Sequence, residues 1–127
     1  MEATEPALPT IAVVDDEECV RAAVANLLSS LGLEVAAFGS AEEFLASPVA
    51  ASAACLITDI QMPGMSGLDL QRHLAASGNR IPIILMTGFP KEQARQQASA
   101  HGAVGYLAKP FESRQLIELI DAVLGTP

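Results

Sequence analysis

The sequence is poor in basic residues and in cysteine. Lys and Arg total 7 against 15 Asp and Glu, so the formal net charge is −8. A domain this acidic lacks the basic face that nucleic-acid binding needs, whereas its field attracts cations. Cys19 and Cys55 form no CxxC pair, and we expect both to be reduced packing residues. His73 and His101 have no metal-ligand spacing to other residues, so zinc chemistry is not indicated.

The sequence also has no apolar run near the roughly 20 residues that a membrane span needs. Its start, MEATEPALPT, is acidic and interrupted by proline, and it lacks the basic and apolar regions of a secretory signal. We therefore expect a cytoplasmic protein. Residues 1–9 are predicted to be a disordered tail and residues 10–127 a single domain. Half of the residues are hydrophobic (50%), which is a globular composition.

Short apolar runs alternate along the chain with longer amphipathic segments. The runs predict strands at residues 10–14, 34–38, 54–58, 81–87 and 103–108. Helices are predicted at residues 17–31, 66–77 and 112–124 and between Pro90 and Gly102. A capping box of Ser40 and Glu43 predicts a further short helix after the second strand. Five βα repeats with strands apolar on both sides predict an α/β fold with helices on both faces of a parallel sheet. A flavodoxin-like (βα)5 fold with strand order 2-1-3-4-5 suits this length.

Polar residues follow four of these predicted strands. Asp15 and Asp16 follow the first strand, Asp59 the third, Thr87 the fourth and Lys109 the fifth. Ligands of open α/β sheets bind at the carboxyl ends of the strands, where the strand order reverses. In the order 2-1-3-4-5, the first and third strands are neighbours at that point. We therefore expect the three acids to converge there.

Three converging carboxylates repel one another by about 4 kcal/mol per pair at ~4 Å and an effective dielectric of 20. Either one acid takes up a proton or a divalent cation neutralises them. Ligands that are all oxygen suit Mg²⁺ or Mn²⁺. Asp59 as a nucleophile, a metal, the ammonium of Lys109 and the hydroxyl of Thr87 together form a set that suits phosphoryl transfer to Asp59.

Each of these residues alone has an ordinary structural role. Asp16 could be a helix N-cap, Thr87 a turn residue and Lys109 a loop residue. Their joint placement at matching strand ends is what favours a functional site.

Four sequence blocks carry a family resemblance: VVDDEE, LITDIQMPGMSG, ILMTG and GYLAKPF. They resemble the signature blocks of response-regulator receiver domains in bacterial two-component signalling, and the likeness runs from about Thr10 to Leu124. The segments DIQMPGMSGLDL and KPF are similar in sequence to those of receivers in nitrogen-fixation-type transcription regulators, which carry a helix-turn-helix output domain.

The resemblance implies a role for each site residue. Asp59 would accept a phosphoryl group from the phosphohistidine of a sensor histidine kinase. Lys109 would contact that group, and its peptide bond to Pro110 would be cis. Metal ligands would be Asp15, Asp16, Asp59 and the backbone carbonyl of Gln61. Thr87 and Tyr106 would be the switch residues.

The resemblance also implies a phosphorylated signalling switch and not a turnover enzyme. Its output would be the face of the fourth helix, fifth strand and fifth helix, used for homodimerisation or for an output domain. One alternative is a stand-alone receiver that acts through protein–protein contacts. Another is a phosphatase of the dehalogenase type, which needs an acid two residues after its nucleophile, where this chain has Gln61.

Overall fold

The computed structural model describes residues 9–125, which form a five-stranded parallel sheet in the order β2-β1-β3-β4-β5. The predicted fold class is confirmed. Of the predicted tail, residues 1–8 lie outside the described residues, as do residues 126–127 of the predicted domain. The strands are β1 (Thr10–Val14), β2 (Glu34–Phe38), β3 (Cys55–Asp59), β4 (Ile83–Thr87) and β5 (Gly105–Ala108). The helices are α1 (Glu18–Ser30), α2 (Ala41–Leu45), α3 (Gly67–Ala76), α4 (Glu92–Ala100) and α5 (Ser113–Leu124).

Alternating residues of the central strands supply two apolar cores, one on each face of the sheet. Ile11 and Val13 of β1 face a core that includes residues of α1 and α5. Ala12 and Val14 face a second core that includes residues of α2, α3 and α4. This arrangement follows from the two-residue period of a strand, and it explains why the central strands are mostly apolar on both faces.

Several predicted boundaries differ from the structure. β4 begins at Ile83, two residues later than predicted, directly after Pro82, which has no N–H for a strand ladder. β5 begins at Gly105 and not at residue 103. Pro90 lies before α4 and not in its first turn, because Lys91 is the N-cap. A 3-10 helical turn at Pro48–Ala51, capped by Ser47, was not predicted.

The predicted capping box at α2 is only half formed. Ser40 Oγ accepts a hydrogen bond from Glu43 N at 3.1 Å, but Glu43 Oε1 accepts from Gly39 N and not from Ser40 N. A complete capping box occurs at α3, where Ser66 and Asp69 exchange such bonds at 3.0 and 3.2 Å. Both helix starts are therefore fixed by local side-chain oxygens.

Helix α4 is the least deeply anchored of the long helices. Ala98 is its one buried residue, and the Ala98 carbonyl accepts a hydrogen bond from the buried Gln71 Nε2 of α3 at 3.0 Å. At the other end, Lys91 N lies 3.4 Å from the Tyr106 hydroxyl, which accepts its hydrogen bond. Within residues 9–125, no helix has the length and apolar character needed to cross a membrane.

Candidate functional site

The ends of four neighbouring strands bring together the polar residues that we call the carboxyl edge: Asp15, Asp59, Thr87 and Lys109. Asp59 is the last residue of β3 and pairs in register with Met86, the residue before Thr87 on β4. Thr87 pairs with Ala108 of β5, which Lys109 follows. Asp15 directly follows β1, which pairs with β3. Parallel pairing therefore places at one edge residues that are up to 94 positions apart in the chain.

Lys109 is the central cation of the carboxyl edge. Its Nζ lies 3.1 Å from Asp15 Oδ2, 3.2 Å from Glu17 Oε1 and 3.4 Å from Asp59 Oδ1. Asp15 is 0% and Asp59 3% exposed, whereas the Glu17 side chain is 63% exposed. Two nearly inaccessible carboxylates thus share one ammonium, an arrangement that is stable only because the charges compensate one another.

Burial and charge shift the ionisation of this group. Burial, followed by repulsion from Asp15, raises the pKa of Asp59 from 3.8 to about 6, although Lys109 opposes the shift. Burial by itself lowers the pKa of Lys109, but the hydrogen bond and charge of Asp15, with Asp59 and Glu17, outweigh burial and raise it overall. Lys109 therefore stays protonated, while Asp59 is a carboxylate with raised basicity.

One oxygen of Asp59 lacks a hydrogen-bond partner. Asp59 Oδ1 is buried, and within residues 9–125 no donor meets hydrogen-bond geometry toward it, although Lys109 Nζ lies at ion-pair distance. Carboxylate oxygens of Asp15, Glu17 and Asp59 come within 4.8 Å of one another. A buried oxygen without a donor beside two further carboxylates fits a divalent cation with oxygen ligands, such as Mg²⁺.

The structure groups Glu17, and not the predicted Asp16, with Asp15 and Asp59. Asp16 is exposed and lies on the wall of the adjoining cavity. It is not the N-cap of α1 either, because Glu17 occupies that position, and Asp15 Oδ1 accepts a hydrogen bond from Glu17 N at 2.9 Å. The run of four acids, DDEE, predicts that a second acid lies near Asp15 at the site. Only the local turn decides that this acid, the one that pairs with Lys109, is Glu17.

Thr87 and Gln61 are joined across the carboxyl edge. Thr87 Oγ1 donates to Gln61 Oε1 at 2.7 Å and accepts from Phe89 N at 2.9 Å. The sequence places Gln61 beside the site and predicts its backbone carbonyl as a metal ligand, but it does not predict this side-chain hydrogen bond to Thr87. Tyr106, the other predicted switch residue, is partly buried on β5 with its hydroxyl at the start of α4.

An open cavity of about 800 Å³ adjoins the buried acids. Its polar wall includes Asp16, Asp59, Gln61 and Lys109, and its apolar wall comes from α1 and from the segment after β5. The Lys109–Pro110 peptide bond at the rim of this cavity is cis. The cavity gives Asp59 a route to a reactant from solvent.

Gly67 allows α3 to approach the carboxyl edge closely. A Cβ atom at this position would lie 2.3 Å from the backbone oxygen of Asp59, so any larger residue would displace the end of β3. The segment between Asp59 and α3 is thus held tightly against the strand that ends in the buried acid.

Comparison with known proteins places this arrangement in a family. Residues 11–121 match the model of the response regulator receiver domain, and the chain therefore belongs to that family. It is 43% identical over 110 residues to nodulation protein W of Bradyrhizobium diazoefficiens, covering 87% of this chain and 48% of that protein. It is 40% identical over 113 residues to the transcriptional regulatory protein FixJ of Azorhizobium caulinodans, covering 89% and 54%. The chain thus spans about half the length of these relatives.

Solved structures agree with this assignment. The crystal structure of FixJ-N is 38% identical, with a TM-score of 0.82, and covers 94% of this chain and 95% of its own. The response regulator StyR is 40% identical, with a TM-score of 0.83, over 94% of this chain and 60% of its own. The predicted resemblance to receivers of nitrogen-fixation-type regulators is confirmed, and receiver domains of this kind are signalling switches.

Proposed function

We propose that Asp59 accepts a phosphoryl group from the phosphohistidine of a sensor histidine kinase. A carboxylate oxygen of Asp59 attacks phosphorus, the P–N bond breaks and its electron pair stays on the imidazole nitrogen, so that an acyl phosphate forms. The observation that carries this proposal is the buried Asp59 Oδ1, which lacks a hydrogen-bond partner and lies 3.4 Å from Lys109 Nζ, with both residues lining an open cavity.

The surrounding residues have distinct roles in this reaction. Lys109 keeps its positive charge and pairs with phosphoryl oxygens as negative charge develops on them. Asp15, Asp59 and the Gln61 backbone carbonyl would hold Mg²⁺ (or Mn²⁺), with Asp16 turning in from the cavity wall as the further acid. The metal would supply charge neutralisation of the phosphoryl oxygens. The chain itself undergoes one modification per signal, so it acts as a switch and not as a turnover enzyme.

Phosphorylation would be read at the face of α4, β5 and α5. The Thr87 hydroxyl turns toward the phosphoryl group, and Tyr106 moves inward and releases its contact with Lys91 at the start of α4. Because α4 buries a single residue, a small change in these polar contacts suffices to shift it. This face would then support a homodimer or an output domain that regulates transcription, the activity for which the transcriptional regulatory protein FixJ is named. The protein would act in the cytoplasm.

Acetyl phosphate provides a kinase-free test. In the presence of Mg²⁺ we expect it to add one phosphoryl group, seen as a single mass increment by intact-protein mass spectrometry. Asp59→Asn should abolish the increment, since an amide is not a nucleophile for this reaction. EDTA should prevent labelling of the unchanged protein.

The matched control is Asp121→Asn, which alters an exposed acid on α5 away from the carboxyl edge. It should label like the unchanged chain. Labelling of Asp59→Asn, or no labelling of any variant, would contradict the proposed acceptor. Light scattering of the labelled protein tests the readout separately: failure to form a dimer removes homodimerisation and leaves the acceptor unaffected.

A further inference from the structure

The hydroxyl of Thr87 is fully engaged in this structure. It is 0% exposed, it donates its one hydrogen to Gln61 Oε1 at 2.7 Å, and it accepts from Phe89 N at 2.9 Å. A threonine hydroxyl has a single O–H to donate. Within residues 9–125, no hydrogen bond joins this hydroxyl to Asp59, the end of the neighbouring strand.

The side chain of Gln61 and a phosphoryl group on Asp59 would therefore compete for the same proton donor. This inference rests on the proposed function, because it needs a phosphoryl group at Asp59. We propose that Gln61 is a positioning residue whose amide oxygen holds Thr87 in the resting orientation and so sets how readily the receiver adopts its phosphorylated conformation. The role is distinct from that of the Gln61 backbone carbonyl, which is proposed as a metal ligand.

The location of Gln61 suits this role. It follows Ile60, whose N–H donates to the Met86 carbonyl of β4 at 2.8 Å, so the backbone beside Gln61 is anchored next to Thr87. The Gln61 side chain then reaches β4 from an exposed position, where it can release the hydroxyl without becoming buried and unsatisfied.

The Thr87 hydroxyl that bonds Gln61 also bonds the segment between β4 and α4. Phe89, 68% exposed, donates its N–H to the same Thr87 oxygen. A Thr87 hydroxyl that leaves Gln61 changes the geometry of that bond two residues before the N-cap of α4. Gln61 thus acts on the output face through Thr87 and not by contact with it.

The expected change in affinity for a phosphoryl mimic follows from a shift in the population of the two Thr87 orientations. A net hydrogen bond of this kind changes an equilibrium roughly two- to tenfold. If the resting orientation dominates, the apparent dissociation constant of a phosphoryl mimic scales inversely with the competent fraction. Removing the amide oxygen should therefore tighten binding of the mimic by the same factor.

The test compares Gln61→Met, which keeps length but removes the acceptor, with the unchanged protein. Beryllofluoride is titrated as the phosphoryl mimic at saturating Mg²⁺, so that metal affinity does not enter the comparison. Tyr106 is the single tyrosine in a chain without tryptophan, so its emission reports on one site. We expect a roughly two- to tenfold lower half-saturating concentration for Gln61→Met. Ala76→Met, at an exposed position in the last turn of α3 and outside the α4, β5 and α5 face, is the control for a surface methionine and should not change it.

A double-mutant cycle with Thr87→Val separates this mechanism from a general structural effect. Without the hydroxyl, Gln61→Met should give no further gain. An equal gain in the Thr87→Val background, or unchanged or weaker binding by Gln61→Met alone, would overturn the role of Gln61 while leaving the acceptor in place. If the unchanged protein neither binds beryllofluoride nor reacts with acetyl phosphate, the proposed function fails, and this inference fails with it.

Discussion

The interior of the sheet and the acids and hydroxyl of its carboxyl edge are similarly buried but opposite in chemistry. Leu56, Ile84 and Leu85 in the interior are 0% exposed and apolar, while Asp15 and Thr87 at the edge are also 0% exposed. Burial stabilises the interior through apolar contact. At the edge the same burial opposes ionised groups, and Lys109 offsets that cost only in part. Equal burial thus has opposite energetic effects in the two regions, and the costly region is the one that suits chemistry.

The largest expected difference is for a substitution in the interior. Leu85→Ala should lower the free energy of unfolding by about 2–5 kcal/mol, because it removes buried methyl groups and leaves a cavity. Urea unfolding followed by circular dichroism measures the change. Gln93→Ala on the exposed face of α4 serves as the control, with a change within about 0.5 kcal/mol. A loss below about 1 kcal/mol at Leu85 would mean that the interior is not close-packed.

The second-largest loss of stability is expected when Lys109, the cation of the carboxyl edge, is replaced. Lys109→Met keeps the aliphatic stem but leaves two buried carboxylates without their ammonium, so we expect a loss of about 1–3 kcal/mol at neutral pH in EDTA. The open cavity lets water screen part of this charge, which keeps the loss below that of a fully buried pair. Mg²⁺ should restore part of the stability. No loss in EDTA would show that Lys109 does not compensate Asp15 and Asp59.

Removing an acid from the carboxyl edge should increase the free energy of unfolding, whereas removing the cation lowers it. Asp59→Asn should raise the free energy of unfolding above pH 6 in EDTA by about 1–2 kcal/mol, after allowance for solvent screening.

The pH window for that gain follows from the raised pKa of Asp59, about 6 against 3.8. Between these values the native state binds more protons than the unfolded chain, so stability of the unchanged protein falls as pH rises through this window. Asparagine lacks this titration, and the gain should therefore disappear below pH 3.8. Thermal unfolding at a series of pH values measures it, and a gain that does not depend on pH would contradict the electrostatic explanation.

The smallest effect on stability is expected for the two exposed acids beside the carboxyl edge, Asp16 and Glu17, whose substitution instead tests which of them is a metal ligand. Asp16→Asn should weaken Mg²⁺ binding several-fold, and Glu17→Gln by less. The reason is that Glu17 pairs with Lys109 at 3.2 Å, whereas within residues 9–125 no hydrogen bond or ion pair holds the Asp16 carboxylate. Calorimetric titration with MgCl₂ decides between them. The reverse order would assign the further ligand to Glu17.

The fold was predictable because its signals are local and repeated. Each βα unit shows a short apolar run followed by a helix signal, which is helical spacing, a capping box or a proline near a helix start, and handedness and strand order then leave few topologies. The boundaries at Pro82 and Pro90 were harder, since whether a proline precedes or begins an element depends on backbone hydrogen bonds that the sequence does not show. The turn at Pro48–Ala51 was missed because four residues carry no readable period.

The site was predictable to the level of residue types at strand ends. Asp59, Thr87 and Lys109 could be named because parallel strands align their carboxyl ends. The contact of Glu17 with Lys109 could not be predicted, because it depends on the turn in which Asp15 Oδ1 accepts from Glu17 N. The hydrogen bond between Gln61 and Thr87 likewise depends on the side-chain rotamers of one residue that follows β3 and one at the end of β4.

The amino-acid sequence by itself determined the alternation of strands and helices and the chemistry available at the strand ends, since both follow from local patterns of apolar and polar residues. Only the tertiary structure decided which carboxylates share the Lys109 ammonium, and that the Thr87 hydroxyl is engaged by Gln61. These outcomes depend on distances of a few ångströms between residues far apart in the chain, and local sequence patterns do not encode such distances.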